Sequence, residues 1–465
     1  MTSSPAPARH IFFALAAAAL LMASIDSTIV TVAIPQLTTA LDAPLAWVAW
    51  TLTAYQLVQV VMLPLAGKLS DSLGRKQVFL FCVGTFTFGS LLCGLAPSIW
   101  FLVAARAIQA IGGGGLMPSA VGLVSDQYRE RRAQAIGLFA SVFPIGGIVG
   151  PNLGGFILQH WTWREMFFVN LPIGVVALVG VALLLPKDAF RKERHIDLLG
   201  VALYAAAIVL LLASITAAAD DPELWRNPLL WLAVTISIGL FVVFLGYIRN
   251  ATDPIIQYPL VVQQPFLNTN LYNLVYGAAV FGFTSFIPAY AVARYGMSAF
   301  QSGAVMTPRG LAMVCSSIVA SVWLIRLGYR LPMLVGMGLV GLALMLLGMA
   351  PQQLTIGPLT LDGFWIMAAI LALGGLGTGL SAPASNNAAL DLAPQHAAAL
   401  TGIRSMFRLT GGALSISTIV LGLTFFEDRG RGLSVAFEVL AVFVLLAMCI
   451  AFTIPDTARE RARRG

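Results

Sequence analysis

Two ionisable side chains stand where water is not expected to reach them. Asp26 lies within the apolar run Ile11 to Val32, and Arg106 lies within a second run over residues 98–122. A carboxylate in such surroundings is costly unless paired or protonated. Asp26 is therefore either a structural partner of a group on the Arg106 helix or a carrier that takes up and releases a proton. At about 1.5 Å per residue, Asp26 falls roughly 20 Å from one end of its helix and Arg106 roughly 12 Å from the opposite end of its own. Across a hydrocarbon core of about 30 Å the two depths nearly coincide. Glu438 is the rival acid, and its place near a helix end suits a side chain that snorkels to the interface.

Other chemistries find no residues to carry them. Gly112 to Gly115 lacks the Gly-Lys-Ser/Thr ending of a phosphate-binding loop, so no nucleotide or other cofactor is expected and the energy source should be an ion gradient. Cys82, Cys93, Cys315 and Cys449 all fall in apolar runs without metal-ligand spacing, which argues against a zinc site or a disulfide framework. His10, His160, His195 and His396 lie near helix ends, with no acid pair or serine dyad beside them, so an enzyme is not expected. No stretch reads as a soluble output domain of a sensor.

The elements that must hold Asp26 and Arg106 follow from composition. With 58% hydrophobic and 10% charged residues, the chain has too little polar surface for a soluble domain and reads as an all-α integral membrane protein. Fourteen apolar runs are long enough to span: 11–33, 45–66, 77–96, 98–122, 133–158, 166–185, 198–218, 228–248, 266–291, 301–325, 331–350, 363–384, 396–424 and 433–454. With the amino terminus in the cytoplasm, most of the 27 lysines and arginines fall inside. Only Arg164, Arg226, Arg294, Arg429 and Arg431 fall outside, and Arg106, Arg309, Arg404 and Arg408 are embedded. That bias predicts both termini in the cytoplasm. The net charge of +7 sits in short loops beside lipid headgroups, not in a patch that would hold nucleic acid. The basic break from Pro186 to Asp197 and the connection from Arg249 to Gln264 divide the chain into a six-helix bundle (1–186), two inserted helices with linkers (187–264), and a second six-helix bundle with a basic tail (265–465). Ile325-Arg-Leu-Gly-Tyr-Arg330 is a weak echo, in the second bundle, of the first bundle's opening loop.

That opening loop, Gly67-Lys-Leu-Ser-Asp71-Ser-Leu-Gly74-Arg75-Lys76, resembles the cytoplasmic loop signature of the major facilitator superfamily. Gly67 and Gly74 would permit tight turns at helix ends, and Asp71 would accept bonds from a helix N-terminus or an arginine, which makes the loop a candidate conformational latch. Three stretches narrow the resemblance to the fourteen-helix drug:proton antiporters of the EmrB/QacA type. They are Ile25 to Pro35, with Asp26, in the first helix, Arg106-x-x-Gln109-x-x-Gly112 in the fourth, and Gly146-x-x-x-Gly150-Pro151-x-x-Gly154-Gly155 in the fifth. The sixth-helix stretch Trp163 to Gly174, which includes Asn170, is similar to that family too. The resemblance implies two six-helix bundles plus two inserted helices, with Asp26 and Arg106 in proton coupling. Gly146, Gly150 and Gly154 form one smooth face for close backbone approach, which could also be where the two halves close, and Pro151 can seat a bend.

The second half speaks to cargo. Arg309 lies about 12 Å inside the outer face, and Arg404 and Arg408 stand one turn apart on a single face. If they line a cavity, it prefers amphipathic anions or neutral molecules to cations; alternatively they bond helix carbonyls and Asn386, Asn387 or Asp391. Asn152, Asn270, Asn273 and Phe281 are further candidates for the substrate cavity. The expected function is proton-coupled efflux of drugs or other hydrophobic compounds by alternating access, from a monomer in the inner membrane. An exporter or flippase of endogenous lipid or anionic amphipath is the alternative. Expected partners are the small hydrophobic or amphipathic substrate and membrane lipids, with a periplasmic adaptor protein left open.

Overall fold

The computed structural model describes residues 6–128, 135, 138–139, 141–185, 197–252, 254, 256–349, 351, 353–356, 359–393 and 397–456, with backbone alone for 6–9, 64, 68, 71, 72, 222, 322–327, 354–356, 359–361 and 397–399. The basic break from Pro186, the loop arginines Arg129, Arg131 and Arg132, the tail beyond Asp456 and the side chain of Asp71 lie outside the described residues. Among the described residues, fourteen helical spans are long and apolar enough to cross a membrane. They fall into two compact units, residues 1–198 and 199–465. The inserted pair of helices belongs to the second unit.

The first unit contains α1 (Ala6–Ala40), α2 (Leu45–Leu73), α3 (Arg75–Gly94), α4 (Ile99–Gln127), α5 (Val142–His160), α6 (Glu165–Phe168) and α7 (Asn170–Leu184). The second contains the inserted helices α8 (Leu198–Asp220) and α9 (Pro228–Asn250), a short α10 (Tyr258–Val262), then α11 (Phe266–Tyr295), α12 (Ala299–Ala304), α13 (Thr307–Leu327), α14 (Arg330–Met349), α15 (Gly363–Leu392), α16 (Ala397–Leu423) and α17 (Arg429–Thr453). Prolines divide two spans that the sequence reads as continuous. Pro308 cannot donate to the carbonyl of Ala304, which separates α12 from α13, and Pro172 acts likewise on Phe168 between α6 and α7. A two-stranded antiparallel hairpin, β1 (Leu354–Ile356) with β2 (Leu359–Leu361), adds a short non-helical element before α15.

Both units use one packing plan. In the first, α1 packs on α5 and α7, α2 on α4, and α3 on α4 and α7. In the second, α11 packs on α16 and α17, α13 on α15, and α14 on α15 and α17. Small residues make the closest approaches. Gly146 meets Ser24 and Ile25, Gly150 meets Thr28 and the Ile25 carbonyl, and Gly154 meets Ile29, so the glycine face of α5 is filled by α1 of the same unit. The close backbone approach expected of that face is made with α1. Gly277 on α11 lies against the Arg408 backbone in the same manner, and Gly411 on α16 against Leu274. Tyr204 on α8 hydrogen-bonds Thr410 on α16 at 2.7 Å, which ties the inserted pair to the second bundle.

The two opening loops are built alike. α2 runs through Gly67 to Leu73, so Gly67 is mid-helix, not a helix end as expected; Gly74, with φ of 103°, makes the turn. Arg75 then donates to the Gly122 carbonyl at 2.5 Å and pairs with Asp126 at 2.8 Å, while the Lys76 ammonium donates to the Ala182 and Leu185 carbonyls. One loop thereby holds the ends of α4 and α7. In the second unit Gly328, with φ of 76°, makes the turn; Tyr329 donates to Asp391 at the end of α15, and Arg330 donates to the Ile454 carbonyl just past α17. The same two helix ends are held with different side chains.

The α1–α5 contact sets a stability expectation. A Cβ at Gly150 would overlap the Thr28 hydroxyl, whereas one at Gly147 meets nothing within 4 Å. Gly150→Ala should cost about 1–3 kcal/mol from overpacking. Gly147→Ala should be neutral or stabilising by up to about 1 kcal/mol, since alanine is the better helix former. Thermal unfolding of the detergent-solubilised variants compares them directly.

Candidate functional site

Asp26 and Arg106 meet in the core of the first unit, both 0% exposed. Arg106 Nη1 donates to Asp26 Oδ2 at 2.5 Å and to Gln109 Oε1 at 2.6 Å, and Arg106 Nε donates to the Thr51 carbonyl at 3.1 Å. The other carboxylate oxygen accepts from Gln109 Nε2 at 2.8 Å and from Asn170 Nδ2 at 3.0 Å. Asn170 Nδ2 also reaches Ser90 Oγ at 2.9 Å, and Ser90 donates to the Phe167 carbonyl at 2.8 Å. The guanidinium lies 4.1 Å from the centre of the Tyr55 ring, a cation–π contact that covers one face. Helices α1, α2, α3, α4, α6 and α7 therefore all contribute to one closed knot.

This arrangement has a definite chemistry. A buried ion pair is best tolerated when its remaining donors and acceptors are also met; here both carboxylate oxygens are, while Arg106 Nη2 is left without a partner. With no exposed surface on either partner, a proton can reach Asp26 only after the knot opens. Protonating Asp26 would cancel its charge and leave Arg106 as an uncompensated cation, so the protonation state and the packing of the first unit are linked.

Sequence reasoning singled out Asp26 and Arg106 but not the amides that complete the knot. Gln109 stands three residues from Arg106, hence on the same helix face, a signal that was available. Asn170 carried none beyond its place in the sixth-helix signature. Pro151 and Gly155 are buried on α5. Asn152 donates at 2.7 Å to the Ile148 carbonyl of its own helix. Among the described residues no three of His, Cys, Asp or Glu stand together as a metal site would need.

In the second unit Asn270 and Asn273, expected as cavity residues, make local bonds. Both are buried. Asn270 donates to the Leu260 carbonyl at 2.8 Å and so fixes α10 onto α11; Asn273 donates to the Thr269 carbonyl and accepts from Ser385. Such amides bond local backbone readily. The arginines behave differently. Arg309, Arg404 and Arg408 all act electrostatically on the Tyr276 hydroxyl, and the Nε of each is buried without a hydrogen-bond partner. Arg309 lies 5.6 Å from the centre of the Phe283 ring, and Arg408 lies 5.6 Å from that of Phe281. None of the three bonds Asn386, Asn387 or Asp391.

Removing one partner from the first-unit knot gives a graded expectation. Asn170→Ala deletes one donor to Asp26 and should cost about 1–3 kcal/mol, whereas Arg106→Ala leaves a buried charge unmatched and should cost about 3–5 kcal/mol. Unfolding midpoints of purified variants should follow that order.

Comparison with known proteins agrees with the fold. A family model described as Major Facilitator Superfamily matches residues 16–416, with a further match over 269–464. Multidrug transporter protein MdtP of Bacillus subtilis is 29% identical over 404 residues, covering 86% of this chain and 73% of the relative. A multidrug resistance protein B homolog of Mycobacterium tuberculosis is 30% identical, with coverage of 87% and 74%. The methylenomycin A resistance protein of Streptomyces coelicolor is 26% identical over 95% of this chain and 91% of its own length. A crystal structure of a POT family transporter in complex with 5-aminolevulinic acid superposes with a TM-score of 0.71 at 14% identity, covering 95% and 96% of the two chains, a likeness of fold alone. Fourteen spans, two six-helix bundles of one plan and a family match across most of the chain lead to one conclusion: this multi-pass membrane transporter belongs to the Major Facilitator Superfamily.

Proposed function

We propose that this transporter is a proton-driven exporter of hydrophobic compounds that works by alternating access, with Asp26 as the proton carrier. The observation that supports this reading is the sealed Asp26–Arg106 knot: a carboxylate kept from water whose charge holds six helices of the first unit together. The names of the relatives, multidrug and methylenomycin resistance proteins, support the cargo class.

In this mechanism the knot opens toward the outside and Asp26 takes a proton. Its attraction for Arg106 falls, and the guanidinium keeps only the Thr51 carbonyl, the Gln109 oxygen and the Tyr55 ring. The first unit then repacks, and cargo loads from the other side. Release of the proton to the cytoplasm re-forms the pair. Arg75 and Lys76 act as the latch by holding α4 and α7 in one of the two arrangements. The protein acts as a monomer in the cytoplasmic membrane with both termini inside, and no cofactor takes part. A second reading, export or flipping of an anionic amphipath or lipid, is favoured by the arginines of the second unit.

Asp26→Asn tests the mechanism because asparagine keeps the shape and accepts from Arg106 yet cannot cycle a proton. In proteoliposomes under an imposed pH gradient, efflux of a fluorescent hydrophobic substrate should fall at least tenfold in the variant, with folded protein retained. Undiminished gradient-driven transport by Asp26→Asn would remove Asp26 from coupling.

A further inference from the structure

Arg309, Arg404 and Arg408 of the second unit enter no ion pair among the described residues, and the Nε of each has no hydrogen-bond partner. Several described acids of this unit are engaged elsewhere. Asp391 and Asp456 both accept from Tyr329, Asp362 and Asp428 cap the N-termini of α15 and α17, and Glu438 is exposed beside Gly348. Arg404 and Arg408 stand at i and i+4, a like-charge spacing that weakens a helix unless something neutralises it. Arg309 belongs to the same neighbourhood from another helix: its backbone lies against Gly375 of α15, and the Tyr276 hydroxyl donates to the carbonyl of Thr378 on that helix. Withdrawing guanidinium nitrogens from water without a counter-charge is costly, and the Nε of all three arginines is buried without a partner.

The backbone fixes this arrangement. The Arg408 backbone presses on Gly277 of α11, and the Arg309 backbone presses on Gly375 of α15, so neither arginine can be moved aside by a shift of its helix. Phe281 and Phe283 sit against the guanidiniums and offer apolar surface next to the charge. Each guanidinium is a planar fork suited to two parallel bonds with a carboxylate, sulfonate or phosphate, and each has its Nε unfilled.

We propose that Arg309, Arg404 and Arg408 bind the acidic group of an amphipathic molecule whose apolar body lies on Phe281 and Phe283. This deepens the exporter reading, on which it rests for the idea that the ligand is cargo, by giving the cargo a negative charge. The same chemistry is offered by a soluble organic anion and by an anionic lipid headgroup.

Equilibrium binding needs no gradient, so it tests the proposal separately from proton coupling. Purified protein in a neutral detergent is titrated calorimetrically with naphthalene-2-sulfonate, its uncharged isostere naphthalene-2-sulfonamide, and naphthyl-2-trimethylammonium. The sulfonate should bind at least tenfold more tightly than either, and raising the salt concentration should weaken it. Equal binding of the sulfonamide overturns the proposal, and this comparison needs only the wild-type protein. Arg404→Gln and Arg408→Gln should each weaken the sulfonate at least tenfold with little effect on the sulfonamide, and the lysine variants should recover part of the loss. Unchanged sulfonate affinity in folded glutamine variants also overturns it. Displacement of the sulfonate by phosphatidylglycerol but not by phosphatidylcholine supports the site and assigns it to a lipid; displacement by soluble anions alone supports it and assigns it to a solute. Displacement by both lipids alike overturns the charge selectivity. Loss of coupled transport in Asp26→Asn with sulfonate binding intact would leave both readings standing, and each can fail without the other.

Discussion

A charge inside a membrane protein must be matched or removed, and the first unit is arranged around one such match. The Asp26–Arg106 pair draws in Thr51, Gln109, Asn170, Ser90 and the Phe167 carbonyl, so six helices converge on a point closed to solvent. Hydrophobic burial does not distinguish these helices from lipid, which is as apolar as leucine side chains. Close van der Waals contact and polar bonds between helices have to do that work. In the first unit the polar bonds are concentrated in one knot, and the glycines of α5 provide the contact.

The two units share a packing plan but differ in electrostatics. The first closes its charges on each other. The second leaves Arg309, Arg404 and Arg408, each with an unpartnered Nε, without an ion pair among the described residues. A fold duplicated in outline is thus unequal in charge: one unit seals its acid against an arginine, and the other leaves its embedded arginines unmatched among the described residues. The paired opening loops differ in the same spirit. Gly74 and Gly328 make equivalent turns, but the first loop grips with Arg75 and Lys76 and the second with Tyr329 and Arg330.

Much of the fold was legible because a span announces itself as about 20 apolar residues, and the depth of Asp26 and Arg106 followed from helical rise. Rotation about a helix axis was not legible in the same way. The glycine series of α5 reads as a smooth face, but nothing in the chain names α1 as the neighbour that fills it. Asn270 and Asn273 look like ligand-binding amides until their own backbone surroundings are known, since an asparagine in a helix has local carbonyls to bond. Gly67 was misplaced because a polar stretch between apolar runs was read as loop, while the helix needs only its hydrogen bonds and continues to Leu73. Asn170 was hidden for a deeper reason: a neutral amide in a span carries no large cost, so unlike Asp26 it does not demand a partner.

The position of Asp26 on α1 has a mechanical consequence. Ser24, Ile25, Thr28 and Ile29, which flank it, are the residues on which the glycine face of α5 rests, and the Ser24 hydroxyl donates to the Phe143 carbonyl of α5. The acid therefore points into the knot from the same two turns of α1 whose other face is locked to α5. Backbone contacts this close leave no slack, because glycine has no side chain to rotate out of the way. A change in what Asp26 holds cannot stay local: if α1 turns or tilts to release Arg106, α5 must move with it or lose its packing. Electrostatic state and helix position are thus joined through geometry that a single methyl group at Gly150 would disturb.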